Sequence, residues 1–209
     1  MTDPLLDPRL PDQRPLAAEA EAVRTVVLAE RTAKDLGRWE VMAALFVPDS
    51  RVAVSWFHGS GADFVAGARA RSARGGSPSF HEIGAVSVLV REDRALADAG
   101  CAVHVRGALD GVVVDVVSRG RLTWRVVRQH DGWRIAGMDM IYLRDAITPV
   151  EPGAALRLPD PAPGDREAYR HLGLLLSAAG QTISADLPGT DRPESIEALL
   201  AEQRHWFFS

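Results

Sequence analysis

Apolar residues recur at helical spacing near the start of the chain. Leu16, Ala20, Val23 and Val27 lie on one side of a helix predicted from Leu16 to about Leu36. Gly37 supplies a stop, and a short second helix follows through Trp39, Met42, Ala43 and Phe46 until Pro48-Asp49 breaks it. Val52, Val54 and Trp56 then alternate with Arg51, Ala53 and Ser55, the pattern of a half-buried strand. Gly59-Ser60-Gly61 reads as a turn. Ala62 to Arg74 predicts a third helix with Phe64, Val65 and Ala68 on one side, closed by Gly75-Gly76-Ser77-Pro78. From Phe80 the period changes to two. Runs 80–91, 95–109, 111–128 and 132–143 have strand character, separated by Glu92-Asp93, Asp110-Gly111 and His130-Asp131-Gly132. Asp-Gly turns between such runs predict hairpins, hence a mostly antiparallel meander. Helices set apart from an antiparallel sheet make the expected class α+β.

The flanks differ from this body. Residues 1–15 are Pro-rich with alternating charges and are expected to form an extended arm. The main domain is expected over 16–145. Residues 146–209 hold a Pro-rich connection and two helical segments, 166–178 and 193–206, with Pro193 at a first-turn position. That tail is too small for a core of its own. Leu172, Leu174, Leu175 and Leu176 in one segment, and Leu199, Leu200, Trp206, Phe207 and Phe208 in the other, need cover. The expected cover is the pocket mouth of the main domain or a partner subunit.

Composition narrows the partners. A chain of 209 residues with 46% hydrophobic and 25% charged residues is typical of a globular protein. It has no run of eighteen apolar residues, so no membrane partner is expected. Charges of both signs are mixed, the net charge is −4 and no basic stripe occurs, so no nucleic acid is expected either. The polar, Pro-rich start lacks the order of a signal peptide. One cysteine, Cys101, permits no internal disulfide, and a reducing cytoplasm is the expected location. No Cys/His cluster has metal-ligand spacing and no Gly-rich loop suits a phosphate or dinucleotide, so neither metal nor cofactor is expected. Lys34 is the only lysine, a bias read as that of a GC-rich bacterial genome. Tyrosine occurs only as Tyr142 and Tyr169.

Several segments in order carry a resemblance. They are KDLGRWEVMAALFVPDSRVAVSW, then FHEIG after the third helix, then AVHVRGAL, and last GRLTWRVVRQHDGWRIAGM with its Asp-Gly turn. Together they resemble the SnoaL-like branch of the nuclear-transport-factor-2 superfamily, a cone-shaped α+β fold, over the first 145 residues. The dehydratase-like members, scytalone dehydratase and bile-acid 7α-dehydratase among them, are the most similar. The resemblance implies a catalytic Asp at the end of the first helix, at Asp35 four residues before Trp39. It implies a catalytic His opening the strand after the third helix, at His81, and a polar pocket residue on the next strand, at His104. The family's carbonyl-polarising tyrosines fall on Glu30 and Val54, so that device is missing or replaced.

An Asp–His pair suits removal of a proton next to a carbonyl. Neutral imidazole is a base near pH 7, and a carboxylate on its other nitrogen fixes the tautomer and stabilises the imidazolium. His81 would take the proton, Asp35 would hold His81, and His104 or His81 would protonate the departing hydroxyl. Alternatively Arg31, four residues before Asp35, takes it in an ordinary helical ion pair. Trp56 and Val54 are candidate substrate-binding residues, the indole as a wall for a ring. Arg121 is a third, as an anion ligand should it face the pocket. The expected substrate is a small apolar or polycyclic carbonyl compound. Three readings remain open: a cofactor-independent dehydratase-like lyase, an isomerase or cyclase using the same base, and a non-catalytic binding or dimerisation module. A homodimer or higher homo-oligomer is expected, because a sheet face of this fold needs cover.

Overall fold

The computed structural model describes residues 12–75 and 79–209; the greater part of the predicted N-terminal arm, and Gly76-Ser77-Pro78, lie outside the described residues. Three helices come early: α1 (Ala17–Asp35), α2 (Trp39–Ala44) and α3 (Gly61–Ala73). A hairpin, β1 (Phe46–Val54) and β2 (Phe57–Ser60), separates α2 from α3. Strands β3 (Ser79–Ile83), β4 (Ser87–Arg91), β5 (Arg94–Leu109), β6 (Val112–Gln129) and β7 (Gly132–Pro149) follow, then α4 (Arg170–Ala178) and α5 (Pro193–Phe208). The class is α+β. The sheet runs β2-β1-β7-β6-β5-β3, with β4 also paired to β5, and every pairing is antiparallel except β1 with β7.

Three local predictions need correction. The second helix stops at Ala44, and Phe46, Pro48 and Asp49, expected as its end and its break, already belong to β1. The run 80–91 is two strands, because Gly84-Ala85-Val86 leaves the ladder and the Gly84 N–H bonds the Gly100 carbonyl at 2.8 Å. The alternation through Trp56 stops at Val54. Ser55 and Trp56 form the tight turn of the β1–β2 hairpin, and Ser60 instead caps α3, accepting from the Asp63 N–H. The Asp110-Gly111 turn has φ of 50° and 76° at its two residues, the left-handed pair that an Asp-Gly hairpin supplies.

The core lies between the helices and the concave side of the sheet. Val23 and Val27 of α1, Phe64 of α3, Trp124 of β6 and Met138 of β7 are almost wholly buried there. Strand β7 carries an extra residue at Leu143, between the pairs Arg119–Arg144 and Gly120–Tyr142, while β6 keeps one phase; a Cβ at Gly120 would sit 2.1 Å from the Ile141 carbonyl oxygen. Along β6, Val114, Val116, Leu122, Trp124 and Val126 face the helices while Thr123 and Arg125 face outward.

The tail divides between the two faces. Helix α4 is tied through its first turn to Asp145 of β7, whose carboxylate accepts from Nδ1 of His171 and from the Leu172 N–H, both at 2.7 Å. Its residues Leu172, Leu175 and Leu176 join the main core. Helix α5 crosses the outer face. Phe207 packs on Leu89 and Leu96, Leu199 and Leu200 pack on Ile141, and Gln203 donates to Thr123 at 2.7 Å. Phe207→Ala should therefore lower stability by about 3–5 kcal/mol, the cost of a large buried side chain leaving a cavity. Denaturant unfolding measures this, and a loss below about 1 kcal/mol would show that α5 rests only loosely on the sheet.

Candidate active site

The last two turns of α1 bring four charges to the edge of the core, beside β3. Glu30 and Arg31 are buried and form a two-pronged pair in which Arg31 Nε lies 2.5 Å from Glu30 Oε2. Arg31 is thereby taken by its neighbour and not by Asp35. Asp35 is left to β3. Its Oδ1 lies 2.8 Å from Nδ1 of His81, and its Oδ2 accepts the His81 backbone N–H at 2.8 Å. The second bond fixes the carboxylate relative to the strand, so the imidazole is held in place through two contacts.

The protonation state follows from the neighbours. Arg31 approaches Nε2 of His81 at 3.4 Å, and a guanidinium can only donate. Nε2 is therefore the bare nitrogen and Nδ1 carries the proton toward Asp35. Burial holds the His81 pKa down at about 4; the charges of Arg31 and Lys34 add to this, and Asp35 works against it. Burial pushes Asp35 the other way, but the hydrogen bond from His81 and the Lys34 charge outweigh it and leave its pKa below the ordinary value. Lys34 donates to Ser79 Oγ at 2.9 Å and lies 3.3 Å from Asp35 Oδ1; burial pulls its pKa down to about 8.

His81, Lys34 and Arg31 line one partly open cavity. Its other walls are mostly apolar: Val54, Val103, Val105, Leu122, Met140, and Leu172 and Leu176 of α4. Trp56, Arg71 of α3 and Tyr142 of β7 complete it. Tyr142 accepts the Ser55 N–H at 2.8 Å. Burial raises its pKa, so the phenol stays protonated. Cys101 also faces the cavity, but burial pushes its thiol up to about 11, which rules out a thiolate at neutral pH.

The sequence model of the SnoaL-like domain matches residues 16–139. The chain belongs to the SnoaL-like domain family. No protein of curated function matches the chain in sequence. Among solved structures, Kfla4162 from Kribbella flavida superposes with a TM-score of 0.52 at 18% identity, over 60% of this chain and 90% of its own. A Novosphingobium aromaticivorans protein provisionally assigned as a scytalone dehydratase gives 0.50 at 21% identity, over 67% and 93%. Rv3472 from Mycobacterium tuberculosis, of unknown function, gives 0.51 at 18%, over 78% and 96%. Identities this low speak for a shared fold and not for a shared reaction.

In this SnoaL-like chain, strand register separates the two predicted histidines. His81 pairs with Val103 and Phe80 with His104, so His81 and His104 point to opposite faces. His104 stacks on the exposed Phe80 ring at 4.5 Å and lies 3.3 Å from Glu82, away from the cavity; its expected proton-donor role is withdrawn. Arg121 also faces outward, 3.1 Å from Asp98 on the neighbouring strand, and is withdrawn as an anion ligand. Val54 and Trp56 do line the cavity. Trp56 does so from a turn, with the Arg71 guanidinium 4.6 Å over its ring and Phe64 at 5.4 Å, so a ligand does not have a free indole face to itself.

Lys34, Arg71 and Tyr142 were missed as site residues. The single lysine among 24 basic residues was a usable signal for the first. No sequence signal marked the others. Among the described residues no helix is long and apolar enough to cross a membrane, and no three His, Cys, Asp or Glu side chains converge as a metal site. His81 should be neutral at pH 7, with its proton on Nδ1 and a midpoint well below 6.5, as read by nitrogen-detected NMR. Asp35→Ala should lower that midpoint further, since the carboxylate raises it. A midpoint at or above 6.5 would contradict the buried geometry.

Proposed function

We propose that the protein is a cofactor-independent, dehydratase-like lyase that removes a proton next to a carbonyl of a small apolar substrate. One observation carries the reading: a buried imidazole, oriented by Asp35 and with an unprotonated Nε2 beside Arg31, lines a mostly apolar cavity. The family and the fold of its structural neighbours supply the prior; the residues supply the reaction.

His81 Nε2 takes the α-proton, and the electron pair of that C–H bond moves toward the carbonyl. Asp35 touches His81 and is absent from the cavity lining, so it positions the base and stabilises the imidazolium. Tyr142 has a proton to give, and directed at the carbonyl oxygen it would stabilise the enolate. This answers the missing family tyrosines with a phenol from the last strand. The enolate then expels the β-hydroxyl. With His104 on the other face, His81 is the group that returns the proton, so the products are water and an unsaturated carbonyl compound and the imidazole is regenerated. A base with a pKa of about 4 is weak. It suits a C–H already acidified by conjugation, as in a ring that gains aromaticity or a dienone on losing water.

The test is incubation with a metabolite mixture and mass analysis of wild type against His81→Ala. Loss of one water that disappears in the variant supports the lyase. A product of unchanged mass would identify an isomerase or cyclase, and a ligand bound but unaltered a binding module. Once a substrate is found, Asp35→Asn should lower kcat by about 10²- to 10⁴-fold, the usual range for a positioned acid–base group. Tyr142→Phe should lower kcat by about 10- to 10³-fold with little change in KM. In wild type, kcat/KM should rise as pH passes about 4, where His81 loses its proton, and be level at neutral pH. A limb near 6.5 would instead indicate an exposed base.

A further inference from the structure

The charges around the cavity leave a remainder. Arg31 is matched by Glu30, and Lys34 by Asp35. Arg71 lines the same cavity, and among the described residues no carboxylate lies within ion-pair range of it; its contact is with the Trp56 ring. An unmatched guanidinium, partly withdrawn from water, is costly unless something pays for it. The indole contributes an ordinary cation–π attraction. That leaves its N–H groups free to meet a planar two-oxygen acceptor. Arg71 also lines a second opening with Arg74, Gly75 and Gln181, which places it toward the mouth.

Resting on the reading of the cavity as a substrate site, we propose that its natural ligand is an organic acid, apolar apart from one carboxylate that docks on Arg71. The apolar body would lie against Val54, Val105, Leu122 and the leucines of α4. Such a ligand also serves the chemistry. The Arg31 and Lys34 cations help to hold His81 down, and an anion entering the cavity offsets them, so the base strengthens when substrate is bound. An arginine at this position thus sets specificity without touching the reacting atoms.

Binding of 2-naphthoate and of its neutral isostere 2-naphthamide, measured by calorimetry on the full chain, tests this. Wild type should prefer the acid by about tenfold or more, the gain of a charge-assisted two-pronged contact. Arg71→Gln should weaken the acid alone and erase the preference, and Arg71→Lys should restore part of it. His81→Ala should keep the preference, so a failure of the proposed base and a failure of the anion site give different results. Equal affinities in wild type, no binding of the acid at millimolar concentration, or a preference that survives Arg71→Gln would each overturn the proposal. A thermal melt of Arg71→Gln close to that of wild type shows that any loss is local.

Discussion

Charge placed in or beside an apolar cavity must be compensated, and α1 places four charges there within six residues, Arg31 and Lys34 on the lining and Glu30 and Asp35 behind it. In a medium of low polarizability an isolated carboxylate or ammonium either neutralises or destabilises the fold. Glu30, Arg31, Lys34 and Asp35 avoid this by dividing their partners. Glu30 takes Arg31, which frees Asp35 from the helical pair that its spacing invites. Asp35 then meets both the ring and the backbone of His81. Everything else about the site follows from this division. The imidazole is oriented because the carboxylate is available. It is neutral because it is buried beside two cations. The last cation, Arg71, sits on another helix without a carboxylate partner among the described residues.

The C-terminal tail serves the same cavity from a distance. Helix α4 supplies two apolar wall residues and is tied to the end of β7 through Asp145. The segment between α4 and α5 runs back to the hairpin turn, where the Ser184 N–H bonds the Ser55 carbonyl at 3.1 Å, and to Tyr142, whose N–H bonds the Pro188 carbonyl at 2.8 Å. Ser55 and Tyr142 are bonded to each other across the cavity wall. The tail therefore supports the phenol and the turn that carries Trp56. Helix α5 covers Leu89, Leu96 and Ile141 on the outer sheet face within the same chain. The need for cover that pointed to a partner subunit is met, at these positions, by the chain itself.

What could be read from the residues were the features with a period or a cap. Helical spacing marked α1, alternation marked β5, β6 and β7, and Asp110-Gly111 marked a hairpin, because each depends on neighbours within a few residues. Family spacing placed Asp35 and His81, and the structure sets them 2.8 Å apart. His104 and Arg121 failed for a single reason. Alternation along one strand tells which residues share a face, but not which face is the cavity, and strand pairing assigns that only in three dimensions. Trp56 showed the opposite error. Its pattern read as strand, the backbone made it a turn, and it still reached the cavity.

By itself, then, the sequence determined the class of the fold and the order of its elements, which are properties of local spacing, while the pair Asp35 and His81 was marked by the family resemblance. Tertiary structure alone decided which charges neutralise one another, which face of the sheet is enclosed, and that Lys34, Arg71 and Tyr142 share a cavity with His81. They stand on α1, α3, β7 and β3, separated by up to 108 positions between Lys34 and Tyr142. No local rule connects them. Charge compensation and desolvation act through space, and their effect on an imidazole or an ammonium exists only once the chain has closed around it.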